Sequence, residues 1–118
     1  MTDAKSTLSD AEYHRLAGGV LASIETAIDR WLQDDVIDID TNRTGGMLEL
    51  TFPDRSKLIV NMQPPLHELW LAARAGGFHY RHDGQRWVDT RDGSEFFAAL
   101  SQHASAQAGR ALRFEPTP

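Results

Sequence analysis

An alternation of side chains over residues 58–63, ended by two consecutive prolines, is the feature that most restricts how this chain can fold. Leu58, Val60 and Met62 alternate with Ile59, Asn61 and Gln63. A period of two is typical of a β-strand that buries one face. The prolines at positions 64 and 65 lack backbone N–H donors, so the strand must end or bulge there.

A second strand is predicted soon after the prolines. Its two leucines, Leu69 and Leu71, are expected to lie on one face of the strand, which places Trp70 on the other. In an antiparallel sheet that is the same kind of face that carries Asn61 and Gln63. A tryptophan on an open face beside two amides suggests a docking surface. A tryptophan covered by a helix or loop is the alternative, and alternation alone leaves both open.

Helix signals lie on both sides of the strand region. Ser9 and Glu12 have the spacing of a capping box, which predicts a helix start, and residues 33–35 end that helix. Residues 92–95 offer caps for a second helix, and Gly109 is its natural C-terminal stop.

A glycine pair, Gly18 and Gly19, falls inside the first predicted helix. Each glycine costs on the order of 0.5–1 kcal/mol relative to alanine in a helix interior. Two explanations remain open: a partner approaches the helix closely at this point, or the sequence has drifted at exposed positions of the helix.

Alternating segments between the two helices predict further strands. The first covers residues 36–40, with Ile37 and Ile39 pointing inward, and residues 41–46 form a turn. The glycine pair at 76–77 marks another turn.

The order of elements is therefore helix, five or six antiparallel strands, helix. We predict the α+β class, with two helices packed on one face of a single antiparallel sheet and the opposite face open. The 118 residues are expected to form one domain. Within it, residues 1–8 are expected to be flexible and residues 110–118 to form a C-terminal tail along the core.

The absence of cysteine limits the chemistry that this chain can perform. Without a thiol there is no disulfide, no cysteine nucleophile and no thiolate to hold an iron–sulfur cluster. No Ser/His/Asp arrangement, P-loop or GxGxxG motif occurs, so we expect a protein that is not an enzyme. The first twenty residues lack a signal and no segment could span a membrane, which favours the cytoplasm and no membrane partner.

Acidic side chains are concentrated in the first third of the sequence. The chain has a net charge of −5, and residues 1–40 hold nine acids and only three bases. Such a field repels nucleic acid and attracts cations or a basic protein surface. Hard carboxylates suit iron, manganese, magnesium or calcium, and we expect weak binding through water by Glu25, Asp29, Asp34, Asp35, Asp38 and Asp40. A solvated acidic face that only favours solubility is the alternative.

A spaced motif in the middle of the chain resembles the bacterial frataxins, the CyaY family. It reads Asn61-x-Gln63-x-Pro65-Leu66-His67-x-x-Trp70-Leu71, followed by Gly76-Gly77, Trp87 and Asp92-Gly93, behind an acidic first helix. The resemblance implies an α-β sandwich and a non-catalytic iron-binding protein of iron–sulfur cluster assembly. Such a protein regulates a cysteine desulfurase and its iron–sulfur scaffold protein, with iron delivery as an additional option.

The resemblance also implies a ligand and roles for individual residues. Iron would be bound weakly, as Fe²⁺ or Fe³⁺, with no cluster held by this chain. His14 would stand at the start of an iron-binding acidic ridge made by the six carboxylates named above. Asn61, Gln63 and Trp70, with His79 beside them, would be docking residues on the sheet. We expect a monomer, with iron-driven oligomers as an alternative. An iron store or chaperone and a plain interaction domain using only the sheet remain alternative functions.

Overall fold

The computed structural model describes residues 8–117 of the chain. Its first helix, α1, spans Asp10–Gln33 and begins at the predicted capping box. The Glu12 amide donates to Ser9 Oγ over 3.1 Å, and the Ser9 amide donates to Glu12 Oε1 over 2.9 Å. These bonds satisfy N–H groups that every helix start leaves free. Residues 1–8 were predicted to be flexible, and residues 1–7 of this segment lie outside the described residues.

Six strands form one antiparallel sheet in which neighbours in sequence are also neighbours in space. They are β1 (Asp40–Thr44), β2 (Met47–Thr51), β3 (Lys57–Gln63), β4 (Glu68–Ala73), β5 (Gly76–His82) and β6 (Trp87–Asp89). A short 3-10 helix, Pro64–Leu66, follows β3, where the prolines remove ladder donors. The second helix, α2, spans Phe96–Ala108 after the N-cap Glu95 and stops at Gly109, whose φ is 69°.

Both helices pack on the same face of the sheet, so the predicted fold class is confirmed. One apolar cluster joins α1, the strands and α2, and it includes Tyr13, Leu21, Ile24, Leu50, Leu58, Val60, Leu69, Leu71, Phe96 and Leu100. From the C-terminal tail, Leu112 and Phe114 are buried, and the Phe114 ring lies edge-on to Trp31 at a centroid distance of 4.8 Å. Within residues 8–117, neither helix combines the length and apolar character that crossing a bilayer requires.

The first strand begins later than the sequence pattern predicts. The expected strand at residues 36–40 and the expected turn at 41–46 are wrong, because β1 spans Asp40–Thr44 and the turn consists only of Gly45 and Gly46. All residues of β1 are exposed. A polar edge strand has no apolar alternation from which it could be recognised.

Residues 36–39 instead lead the chain from the end of α1 to the sheet. The Val36 amide donates to the Trp31 carbonyl over 2.8 Å, and the Arg110 guanidinium donates to the Val36 carbonyl. These contacts hold the segment to the helix and the tail. Ile39 is nevertheless buried and Asp38 exposed, in the directions that the alternation predicted.

The glycine pair at residues 76–77 was expected to form a turn, which is also wrong. The turn lies at residues 74–75, and Gly76 and Gly77 open β5, where they pair with Ala73 and Ala72. Gly76 has a φ of 147°, a value that glycine adopts without the steric cost paid by other residues.

The Gly18 and Gly19 pair of α1 provides a first test of this fold. A Cβ added at either position would meet no heavy atom within 4 Å. We therefore expect Gly18→Ala and Gly19→Ala each to raise the free energy of unfolding by about 0.5–1 kcal/mol, measured by urea denaturation. Gly45→Ala is the control and should destabilise, because Gly45 has a φ of 58°. A loss of stability in both helix variants would contradict the open space around these glycines.

Candidate functional site

Five exposed aspartates follow one another from the end of α1 to the start of β1. Together with the partly buried Glu25 they form what we call the acidic edge: Glu25, Asp29, Asp34, Asp35, Asp38 and Asp40. Asp34 is the C-cap of α1, and Arg30 is the one basic residue in the last turn. Acids at a helix C-terminus face the negative end of the helix dipole. The potential at this end of the molecule is therefore more negative than the side chains alone would make it.

One member of the acidic edge is already paired within the protein. Glu25 Oε1 lies 2.6 Å from Arg43 Nη1, which joins α1 to the edge strand β1. The sequence pattern did not predict this pair. The five aspartates have no salt bridge to any residue of the described range. Their charge is therefore left for solvent, cations or a partner.

The chemistry of the acidic edge fits hard cations, but its geometry is not that of a preformed chelate. Carboxylate oxygens are the ligands that iron and other hard cations accept. In residues 8–117, however, no group of three or more His, Asp or Glu side chains is placed to hold one ion. An ion at this edge would need water to complete its coordination.

The structure does not bring His14 to these carboxylates. Its Nδ1 lies 2.9 Å from the Asp10 carbonyl, in the first turns of α1. Glu25, the nearest member along the helix, is eleven residues away, which corresponds to about 16 Å at the rise of an α-helix.

The sheet face opposite the helices carries the predicted docking residues together. The antiparallel register places Asn61 beside Trp70 and Trp70 beside His79, on three successive strands. Gln63 lies in the next row, opposite Glu68. We call this surface the uncovered face, since no helix of the described chain packs on it.

Trp70 is held in one orientation on the uncovered face. Its ring is stacked on that of His79, with centroids 4.1 Å apart and an interplanar angle of 7°. Its Nε1 donates to Glu68 Oε1 over 2.8 Å. A hollow of about 190 Å³ lies beside the ring, between Asn61 and Ala72. A rigid aromatic beside a small hollow is a typical anchor for a protein partner.

Glu68 and Arg81 are residues of this face that sequence analysis missed. Glu68 is 5% exposed, and its Oε2 accepts a hydrogen bond from Arg81 Nη2 over 2.6 Å. A buried carboxylate must be paired, because removing its charge from water is otherwise costly. The two residues are direct neighbours between β4 and β5, so only knowledge of the register would have revealed the pair.

Two helices over one face of a six-stranded antiparallel sheet, with an acidic edge and a polar, aromatic second face, define an α-β sandwich of the frataxin fold. The family model described as "Frataxin-like domain" matches residues 6–110. The chain belongs to this family, and the resemblance noted in the sequence is confirmed.

Individual relatives agree with this assignment. The iron–sulfur cluster assembly protein CyaY of Polaromonas sp. is 54% identical over 112 residues, which cover 94% of this chain and 97% of that protein. The frataxin from Psychromonas ingrahamii superposes with a TM-score of 0.81 at 34% identity, over 92% of this chain and 99% of that one.

A trimeric yeast frataxin, described as complexed with ferrous iron, gives a TM-score of 0.65 at 18% identity, over 92% of this chain and 94% of that one. At that identity the likeness concerns the fold alone. The curated relatives are named as iron–sulfur cluster assembly proteins, which is the pathway that the sequence led us to expect.

Proposed function

We propose that this chain acts in iron–sulfur cluster assembly as a non-catalytic, iron-responsive regulator of a cysteine desulfurase and its scaffold protein. The name of its 54% identical relative supports the pathway. The observation that carries the proposal is the row of five exposed aspartates with no salt-bridge partner in residues 8–117. Clustered like charges destabilise a fold, and a basic surface or a cation relieves that cost.

In this proposal the acidic edge meets a basic patch on the desulfurase. Oppositely charged surfaces speed encounter and fix orientation, and their attraction weakens as salt screens it. Ferrous ions would bind the same aspartates weakly, each held by one or two carboxylates and water. Iron and the desulfurase would then compete for one surface, which makes the complex responsive to iron.

The uncovered face would serve the scaffold protein. Trp70 supplies a large, oriented apolar contact, and the partly exposed Asn61 and Gln63 supply amide hydrogen bonds next to it. Because the acidic edge and the uncovered face are different surfaces, a single monomer could contact both partners at once.

Neutralising the acidic edge tests this proposal. We expect Asp29→Asn, Asp34→Asn and Asp38→Asn in one chain to weaken desulfurase binding by about tenfold or more at low salt. The salt dependence of binding should flatten at the same time, because fewer charges take part. Calorimetric titration at two ionic strengths measures both effects.

The matched control removes three exposed acids elsewhere, as Asp54→Asn, Asp83→Asn and Glu115→Gln, with the same change in net charge. It should bind the desulfurase nearly as the natural chain does. Equal binding by the acidic-edge variant would contradict the proposal. Tight, stoichiometric loading of Fe²⁺ on the protein alone would instead indicate an iron store.

A further inference from the structure

A groove separate from the acidic edge and the uncovered face runs between α1, the β5–β6 hairpin and the C-terminal tail. Its volume is about 360 Å³, within the range of sites for small organic ligands. The tail forms one wall and is fastened to α1, since the Thr117 amide donates to Ser23 Oγ over 3.0 Å. Ser23 Oγ in turn donates to the Gly19 carbonyl over 2.9 Å.

Gly19 gives this groove its room on the α1 side. It lines the groove, and a Cβ at this position would meet nothing within 4 Å. No contact inside the described chain therefore requires glycine here, although glycine disfavours the helix. The space it leaves open belongs to the groove.

The floor of the groove is apolar. Val20, Trp87 and Phe97 line it and are 5%, 4% and 7% exposed. An apolar floor of this kind favours a ligand with a hydrocarbon or aromatic body.

His82 is one of the polar residues that line the groove. His82 is 7% exposed, and its Nδ1 accepts a hydrogen bond from the Gly84 amide over 3.1 Å. The ring proton of the neutral form therefore resides on Nε2, which donates to no residue in the range 8–117 and is accessible to solvent, because no buried side-chain nitrogen or oxygen of these residues lacks a partner. Burial lowers the pKa of His82, which favours this neutral form at pH 7.

Positive charge completes the rim. The exposed Arg15 and Arg86 line the groove. Arg86 Nε is 4.0 Å from Asp83 Oδ2, too far for a hydrogen bond. The acid that lines the groove, Glu95, uses both carboxylate oxygens to cap α2, at 2.8 Å and 3.0 Å from the amides of Phe97 and Ala98.

We propose that this groove binds a small organic anion, a carboxylate with an apolar body. The body would lie on the floor beside Gly19, and the carboxylate would accept hydrogen bonds from the rim. Charge complementarity argues for an anion, because Arg15, Arg86 and His82 line the groove in a protein whose net charge is −5.

Octanoate is a suitable probe, with 1-octanol as its neutral counterpart. In a titration of the ¹⁵N-labelled protein, octanoate should shift the amide signals of residues around the groove, those of Gly19 and Gly84 among them. We expect the affinity for 1-octanol to be lower by about tenfold, since it lacks the charge that the arginines recognise. Equal affinity for both probes, or octanoate shifts confined to other surfaces, would overturn the proposal.

Variants separate the two halves of the site. Arg15→Gln with Arg86→Gln should weaken octanoate binding by about tenfold, whereas Arg55→Gln with Arg91→Gln, two exposed arginines outside the groove, should not. Gly19→Leu should fill the groove and abolish binding without unfolding the helix. Gly18 lines a different hollow, so the Gly18→Leu variant should bind octanoate as the natural chain does. Unchanged binding by the first pair or by Gly19→Leu would show that octanoate does not use this groove.

Discussion

Replacing Trp70 by alanine is expected to weaken binding to the scaffold protein by about thirtyfold or more, the loss typical of an interface hot spot. The ring is partly exposed, is stacked on His79 and has its Nε1 bonded to Glu68. An anchor that is already oriented loses little conformational entropy when a partner covers it. Truncation removes both its contact area and that preorganisation.

The measurement is a calorimetric titration of scaffold protein into each variant. Leu66→Ala is a matched control, because Leu66 is a large apolar side chain with 49% exposure that lies in the 3-10 helix rather than in a strand of the uncovered face. It should bind nearly as the natural chain does. Desulfurase binding should survive Trp70→Ala, since that contact is assigned to the acidic edge. Undiminished scaffold binding by Trp70→Ala would show that the uncovered face is not the docking surface.

Replacing Glu68 by alanine is expected to lower the free energy of unfolding by about 2–3 kcal/mol. It would leave the Arg81 guanidinium without its 2.6 Å partner and Trp70 Nε1 without its acceptor. The side chain of Arg81 is 35% exposed, so water compensates part of the loss. The effect should therefore fall short of that of breaking a fully buried pair.

A double-mutant cycle in urea tests the pair itself. Arg81→Ala should also destabilise the fold, because it leaves the Glu68 carboxylate, whose side chain is only 7% exposed, without its charged partner. The double variant Glu68→Ala with Arg81→Ala should lose less unfolding free energy than the two single variants lose together. Either change alone already breaks the ion pair between Glu68 and Arg81, so the second change cannot break it again. Glu68→Gln should be milder, since it retains an acceptor for Trp70. Additive losses would show that the two side chains stabilise the fold independently.

Much of the fold was predictable because its signals are local. The capping box at Ser9 and Glu12 forms as expected, and the prolines at 64 and 65 end β3. Alternation correctly separated Leu69 and Leu71 from Trp70. Each of these signals depends on backbone geometry within a few residues, so it can be read from the sequence without knowledge of distant contacts.

The missed features have a common cause. β1 is polar throughout and is a strand because β2 pairs with it. Gly76 and Gly77 resemble a turn, yet they continue the ladder with β4. In each case hydrogen bonding to the neighbouring strand decided the conformation, and pairing within the sheet overruled local propensity.

The amino-acid sequence alone was sufficient for the family, the order of the helices and most of the strands, and the excess of acids in the first third of the chain. Tertiary structure decided which charges remain free, because Arg43 reaches Glu25 but no described residue reaches the aspartates. It also decided the Glu68–Arg81 pair and the groove beside Gly19. Local patterns follow from the geometry of a helix turn or a strand pleat, whereas these features depend on strand register and on packing between separate elements.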